Sequence, residues 1–251
     1  MTDKTPPNLR TFEVLEVLGR TGTAMTATEI NEHLGLPKQT VHRLCTTLET
    51  AGILEREGRT RRLRPARRAR QLAAGVLAAS NGQIARHQVL RRVAHEAGET
   101  VNLVIQQDAG MFYLDRVETD WPFRVQLPVG TNVPFHCTAS GKTFMSSLPK
   151  TARENFVANL SLERHTANTI VEPGELSVQL AEIRRLGYAL DDQEFFDGMV
   201  AIAVPVRDSA GRFLAALALH GPIQRFTLNH AISRRDLLLD AARRLGETML
   251  A

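Results

Sequence analysis

Cysteine is scarce in this chain. Of 251 residues only Cys45 and Cys137 carry a thiol, and no Cys-x-x-Cys occurs. A disulfide framework is excluded, and a reducing, cytoplasmic setting is the expectation. Long uncharged runs are also missing. The longest stretch without Asp, Glu, Lys or Arg, Val125 to Gly141, has 17 residues and includes Pro128, Asn132, Pro134 and His136. It is too short and too polar to cross a membrane as a helix. Residues 1–20 contain no apolar segment followed by a small-residue cleavage site, so no secretion signal is read there. The phosphate-binding glycine loop is incomplete. Gly141-Lys142-Thr143 would need a glycine five residues earlier, where His136 stands, and backbone N–H groups could not wrap a phosphate. The eight histidines show neither His-x-x-x-His nor Glu-x-x-His spacing, so neither a metal nor a cofactor is signalled.

What is present is ordinary globular material, 43% apolar and 23% charged, which excludes a wholly disordered chain. The charge is unevenly placed. Residues 1–70 hold 13 Lys/Arg against 8 Asp/Glu, a net of +5, while residues 71–251 hold 18 against 19, a net of −1. Eight arginines and a single acid, Glu57, lie between Arg56 and Arg70. A basic head on a neutral body is the electrostatic footprint of a nucleic-acid binder.

Helical spacing begins at Phe12 and runs to Leu18, followed by a turn at residues 20–23. Thr26-Ala27-Thr28-Glu29 reads as a capping box for a second, short helix ending at Gly35. Pro37 suits the first turn of a third helix, in which Val41, Leu44, Cys45 and Leu48 form a buried stripe. Cys45 is accordingly a core residue. Gly52 supplies the stop. The unit from Thr26 to Ala51 has helix-turn-helix proportions. Its stripe turns Lys38, Gln39, Thr40, His42, Arg43, Thr46 and Thr47 outward, with no acid among them. A short hairpin follows, from Ile53 to Arg64 with its turn at Glu57-Gly58-Arg59. It carries Arg59, Arg61 and Arg62 and occupies the place of a wing. A plain three-helix bundle with a solvated face would not require these three features together.

Ala66 to Ser80 reads as a linker helix broken at Asn81-Gly82. Beyond it helices and strands alternate. One helix ends at Gly98, and strands at residues 101–105 and 111–114 flank a turn at Asp108-Ala109-Gly110. Phe123, Val125 and Leu127 alternate with polar residues as in a strand. A helix spans residues 139–148, Thr151 to Glu154 caps another, and a third runs from Glu175 to Leu186. Strands at 200–206 and 213–219 flank a turn at 208–211, and a final helix carries Leu238, Ala241, Ala242, Leu245 and Met249. The expected fold class is α+β around one antiparallel sheet. The expected domains are a winged helix-turn-helix over 1–65, a linker helix over 66–82 and a third region over 83–251.

Two local chemistries stand out. His136 and Cys137 could form a base and nucleophile, but neighbours on a strand point to opposite faces, which speaks against a catalytic pair. Thr138, Ala139, Ser140 and Gly141 are small and open a helix. Their N–H groups read equally as a carboxylate seat and as an ordinary capped helix packed on the sheet.

These residues resemble the IclR-type transcriptional regulators. The resemblance rests on the Thr26–Gly52 unit with Leu36 to Leu44, on His136-Cys137-Thr138-Ala139-Ser140-Gly141-Lys142, and on the late run Gly187, Asp191, Glu194 and Ala201 followed by Ile202, Ala203, Pro205 and Val206. It covers nearly the whole chain in order. It implies an N-terminal winged helix, a linker helix and a GAF-like effector domain. It also implies binding to double-stranded operator DNA, control by a small organic acid, and assembly as a homodimer or homotetramer. The implied pocket positions are Val125, Ala139, Ser140, Asp191, Ala201, Ala218 and His220, with Gly141 from the helix N-terminus beside them. Glyoxylate and pyruvate sensors of the family carry Cys, Ser and Ser where this chain has Ala201, Ala218 and His220. A larger or more apolar acid, aromatic for example, suits the change. An enzyme with an appended DNA-binding domain is the rival reading, and Asp191 with His220 is its one candidate acid/base pair. A constitutive architectural DNA-binder would leave the last two thirds of the chain without a role.

Overall fold

The computed structural model describes residues 5–7, 9–79, 82–107, 110–122 and 127–249. The chain divides into two compact units, the first ending at Val76 and the second beginning at Leu77.

In the first unit α1 (Arg10–Thr21), α2 (Ala27–Leu34) and α3 (Lys38–Thr50) precede β1 (Leu54–Arg56) and β2 (Leu63–Pro65). Each helix boundary has a chemical cause. Gly22 and Gly35 take left-handed φ values of 67° and 62° and close α1 and α2 through N–H bonds to Leu18 and Asn31 carbonyls. The Thr26–Glu29 capping box is complete, with Thr26 N–H donating to Glu29 Oε2 at 2.7 Å and Glu29 N–H donating to Thr26 Oγ1 at 3.2 Å. Pro37 sits at the N-cap of α3, one residue before the expected first turn. Val14, Leu18, Ile30, Val41, Cys45 and Leu48 meet Leu54 and Leu63 in one core. β1 and β2 pair antiparallel, Leu54 opposite Pro65 and Arg56 opposite Leu63. The wing strand starts later than its sequence suggests. Thr60 Oγ1 donates to the Glu57 carbonyl and accepts from Arg62 N–H, so residues 57–62 form a turn instead of ladder. The linker sequence forms α4 (Arg67–Ala79), which contains the division between units. Ser80, its expected last residue, and Asn81 of the expected Asn81-Gly82 break lie outside the described residues.

The second unit begins with α5 (Gly82–Ala97), β3 (Thr100–Gln107), β4 (Gly110–Val117), β5 (Asn132–Val133), α6 (Ala139–Ser147) and α7 (Lys150–Ala158). It continues with α8 (Pro173–Leu186), β6 (Ala189–Asp192), β7 (Met199–Arg207), β8 (Phe213–Pro222), α9 (Leu228–Ser233) and α10 (Arg235–Thr248). The six strands make one antiparallel sheet in the order β5-β4-β3-β8-β7-β6. Phe144 and Met145 of α6 and Leu176, Leu180 and Ile183 of α8 pack on Val104, Tyr113 and Ala216 on one face. α5 and α10 pack on one another and on the central strands, covering the other face.

Some expectations change. Residues 123–126, including Val125, and the turn residues Asp108 and Ala109 lie outside the described set, and Leu127 belongs to no strand. Thr151 caps nothing. Pro149, with its fixed φ of −53°, takes the N-cap of α7 and places Thr151 inside the helix. β5, β6 and α9 carried no separate signal in the reading of the sequence.

Gly141 is required for a steric reason. A Cβ there would lie 2.2 Å from the Phe135 carbonyl oxygen and 2.5 Å from its Cα. The first turn of α6 therefore rests directly on the backbone at Phe135. Gly141→Ala should destabilise the second unit by about 3 kcal/mol or more, since backbone cannot give way as a flexible side chain does. Chemical denaturation checks this, and a variant as stable as the wild type would show that the contact is dispensable.

Candidate DNA interface and effector site

In the first unit the core stripe of α3 turns Lys38, Gln39, His42, Arg43, Thr46 and Thr47 fully outward, and Thr40 is half-exposed. None of these seven side chains is acidic. The wing arginines divide into two groups. Arg56 pairs with Glu49 and Arg64 with Glu55, both at 2.7 Å. Arg62 donates to Glu29 Oε1 at 2.7 Å and to the Ala24 carbonyl at 2.8 Å. Glu29 thus closes the cap of α2 with one oxygen and holds the wing with the other. Arg59 and Arg61 make no ion pair or side-chain hydrogen bond among the described residues. They are the wing's uncommitted cations, which the sequence could not separate from Arg62.

In the second unit antiparallel pairing puts facing residues on one side of the sheet. One row runs Thr100, His220, Ala201, Asp191 and the next runs Arg116, Asn102, Ala218, Ala203, Ala189. This is the face that α6 covers. Ala139 of α6 joins Ala201, Ala203 and Ala218 in one buried cluster. The register therefore brings together Ala139, Asp191, Ala201, Ala218 and His220, with Ser140 buried beside them. Val125 lies outside the described residues.

Gly141 differs from its expected part. Its N–H donates to the Thr138 side chain at 3.1 Å as the N-cap bond of α6. That leaves the N–H groups of Ala139 and Ser140 as the first-turn donors.

The charged groups here are deeply buried. Lys142, fully enclosed, forms an ion pair with Glu194. Loss of hydration pushes the Glu194 carboxyl upward, against the pull of Lys142. Glu194 Oε2 is buried and has no hydrogen-bond partner among the described residues. Thr166 and Thr169 hold the backbone of this segment, donating to the Gln193 carbonyl at 2.6 Å and the Glu194 carbonyl at 2.7 Å. Asp191 is pushed up to about 7, chiefly by burial and further by Glu194, while Lys142 opposes. Its Oδ1 accepts from the N–H of Glu194 at 2.8 Å and of Phe195 at 3.4 Å.

His220 is held at Nδ1 by Asn102. Arg116 donates to Asn102 Oδ1 at 2.8 Å, which turns the Asn102 amide N–H toward His220 Nδ1 at 3.1 Å. With Nδ1 accepting, the imidazole proton sits on Nε2. Asp191 Oδ1 and His220 Nδ1 thus each have their own partner. Residues 136–138 are irregular and not a strand, so His136 and Cys137 do not diverge as expected. Both are buried, and the exposed His165 joins them. Sequence reasoning missed His165 because it stands 28 positions beyond Cys137 in a segment with no motif.

Comparison with known proteins decides the family. The model described as the IclR helix-turn-helix domain matches residues 9–58, and that of the bacterial transcriptional regulator IclR C-terminal matches residues 76–247. The chain belongs to the IclR family. The probable transcriptional regulator SauR of Cupriavidus necator is 39% identical over 221 residues, 88% of either chain. The transcriptional repressor IclR of Escherichia coli is 28% identical over 236 residues, 93% of this chain and 86% of that one. An IclR homologue from Microbacterium hydrocarbonoxydans, solved in complex with 4-hydroxybenzoate, matches with a TM-score of 0.59 and 26% identity over 98% of this chain and 99% of that one. This IclR-family member is a DNA-binding transcriptional regulator, not an enzyme. Among the described residues, no helix is long and apolar enough to cross a membrane.

The two groups of wing arginines should separate in a salt titration. Each lost phosphate contact lowers the slope of log affinity against log salt by about 0.9. Arg61→Ala should show that loss. Arg62→Ala should leave the slope nearly unchanged, because its charge is already answered by Glu29. Equal slopes for wild type and Arg61→Ala would remove Arg61 from the interface.

Proposed function

We propose that this IclR-family regulator releases or engages its operator in response to a small aromatic carboxylic acid bearing a hydroxyl group. The acid lies between α6 and the sheet row of Asp191, Ala201 and His220. The observation that carries this reading is Glu194 Oε2, a buried acceptor without a partner among the described residues, in the unit that also holds a methyl-lined patch. Such an atom costs free energy unless a donor reaches it, and a ligand hydroxyl is a suitable donor. The ligand carboxylate rests on the N–H groups of Ala139 and Ser140, where the helix dipole is favourable and the Lys142 ammonium adds positive potential. The ring lies on Ala201 and Ala218, and His220 meets a polar group of the ligand. The 4-hydroxybenzoate bound by the Microbacterium homologue has this combination of carboxylate, ring and hydroxyl.

On the DNA side, Gln39, Thr40 and Arg43 reach base edges in the major groove, with Lys38 and His42 beside them. Arg59 and Arg61 meet phosphates or the adjacent minor groove, and Arg62 holds the wing in place. Two copies bind one operator. Phe12 of α1 and Leu72 and Val76 of α4 are more than half exposed and offer apolar surface for pairing. The cytoplasm is the compartment in which such a regulator meets its operator.

A panel of aromatic and short-chain acids, screened by thermal shift, identifies the best stabiliser, and calorimetry then compares wild type with Ala218→Leu. The added bulk should weaken acid binding by at least about a hundredfold, roughly 3 kcal/mol, while operator binding persists. If the variant binds the acid as tightly as the wild type does, the pocket is elsewhere.

A further inference from the structure

We propose that His136, Cys137 and His165 form a binding site for a borderline-soft divalent cation of the zinc type. One ligand atom from each residue lies within 4.8 Å of the others. Two nitrogens and one sulfur are the donor set that zinc prefers.

The ligands are prepared unequally. His136 Nε2 lies 2.8 Å from the Glu163 carbonyl oxygen. A carbonyl can only accept, so Nε2 carries the proton and Nδ1 keeps its lone pair. This is the outer hydrogen bond by which metal-binding histidines are oriented. Burial also lowers the His136 basicity and favours the neutral ring. Cys137 is fully enclosed and its thiol is pushed well above its ordinary value. Coordination would replace the S–H bond with an S–metal bond and release one proton to solvent.

His165 completes the set from the outside. It is exposed, its backbone N–H is held by Thr169 Oγ1 at 3.0 Å, and its ring leans on Phe195 with centroids 5.4 Å apart. Bond lengths near 2.1 and 2.3 Å put tetrahedral ligands roughly 3.5 Å apart. Rotation of the exposed ring closes the remaining gap. His136 and His165 also line a surface hollow of about 300 Å³, which gives the cation a path inward. Three protein ligands leave a fourth position for water or an anion, the open arrangement and not a closed structural knot.

The test uses the purified full-length chain stripped with a chelator and titrated with Co(II) as the spectroscopic substitute for zinc. Wild type should take up one equivalent and show a near-ultraviolet thiolate-to-cobalt charge-transfer band with visible tetrahedral bands. Cys137→Ser should lose the charge-transfer band, and Cys45→Ser, which changes the other thiol, should keep it. His165→Ala lies at the surface and should melt like the wild type, yet bind cobalt at least about tenfold more weakly. It decides the matter should Cys137→Ser fold poorly. No uptake by the wild type, a band that persists in Cys137→Ser, or wild-type affinity in His165→Ala would each overturn the assignment.

Discussion

Register in an antiparallel sheet admits no half measures. A slip of one residue would carry every side chain of a strand to the other face. In the second unit the pairings of Thr100 with His220, His220 with Ala201 and Ala201 with Asp191 hold four residues from four strands in one line. They span 121 positions of sequence, from 100 to 220. The polar chemistry of the unit depends on that line. It sets which groups lie under α6, and it brings Lys142 to Glu194 in an unhydrated place. Removing either member of such a pair strands a buried charge, which costs more than the pair contributes when intact.

The approach of α6 to the sheet follows from small residues on both sides. Ala139 meets Ala201, Ala203 and Ala218, and Gly141 rests on the backbone at Phe135. Thr143 Oγ1 donates to the Ala203 carbonyl at 3.3 Å. Larger side chains at these positions would lift the helix and separate Lys142 from Glu194. Packing and electrostatics in this unit are therefore one constraint seen twice. In the first unit Glu29 has a comparable double part, since it caps α2 and anchors Arg62. The exposed pair contributes little to stability, but it fixes which wing cations stay available to DNA.

Much of this was legible from sequence. Local chemistry announces itself, so the Thr26–Glu29 box, the Gly22 and Gly35 stops, the α3 stripe and the β7–β8 hairpin were found from spacing alone. The outward face of α3 followed from the stripe. What escaped depends on contacts distant in sequence. β6 looks polar and short, and only its pairing with β7 makes it a strand. The engagement of Arg62 by Glu29 crosses 33 positions. The tie of His220 to Asn102 crosses 118. Gly141 was read as a donor because its N–H opens a helix. The Thr138 side chain had already claimed that N–H, which spacing could not show.

In the proposed function, acid on the sheet face and operator on α3 belong to one equilibrium. Linkage makes this measurable, because the factor by which the acid changes operator affinity must equal the factor by which operator changes acid affinity. Fluorescence anisotropy on an operator fragment selected from random-sequence DNA, with and without the best stabilising acid, gives the first factor. Calorimetry of the acid with free and operator-bound protein gives the second. The account predicts equal factors between about 5 and 150. An acid that binds one to one and leaves operator affinity unchanged would contradict it.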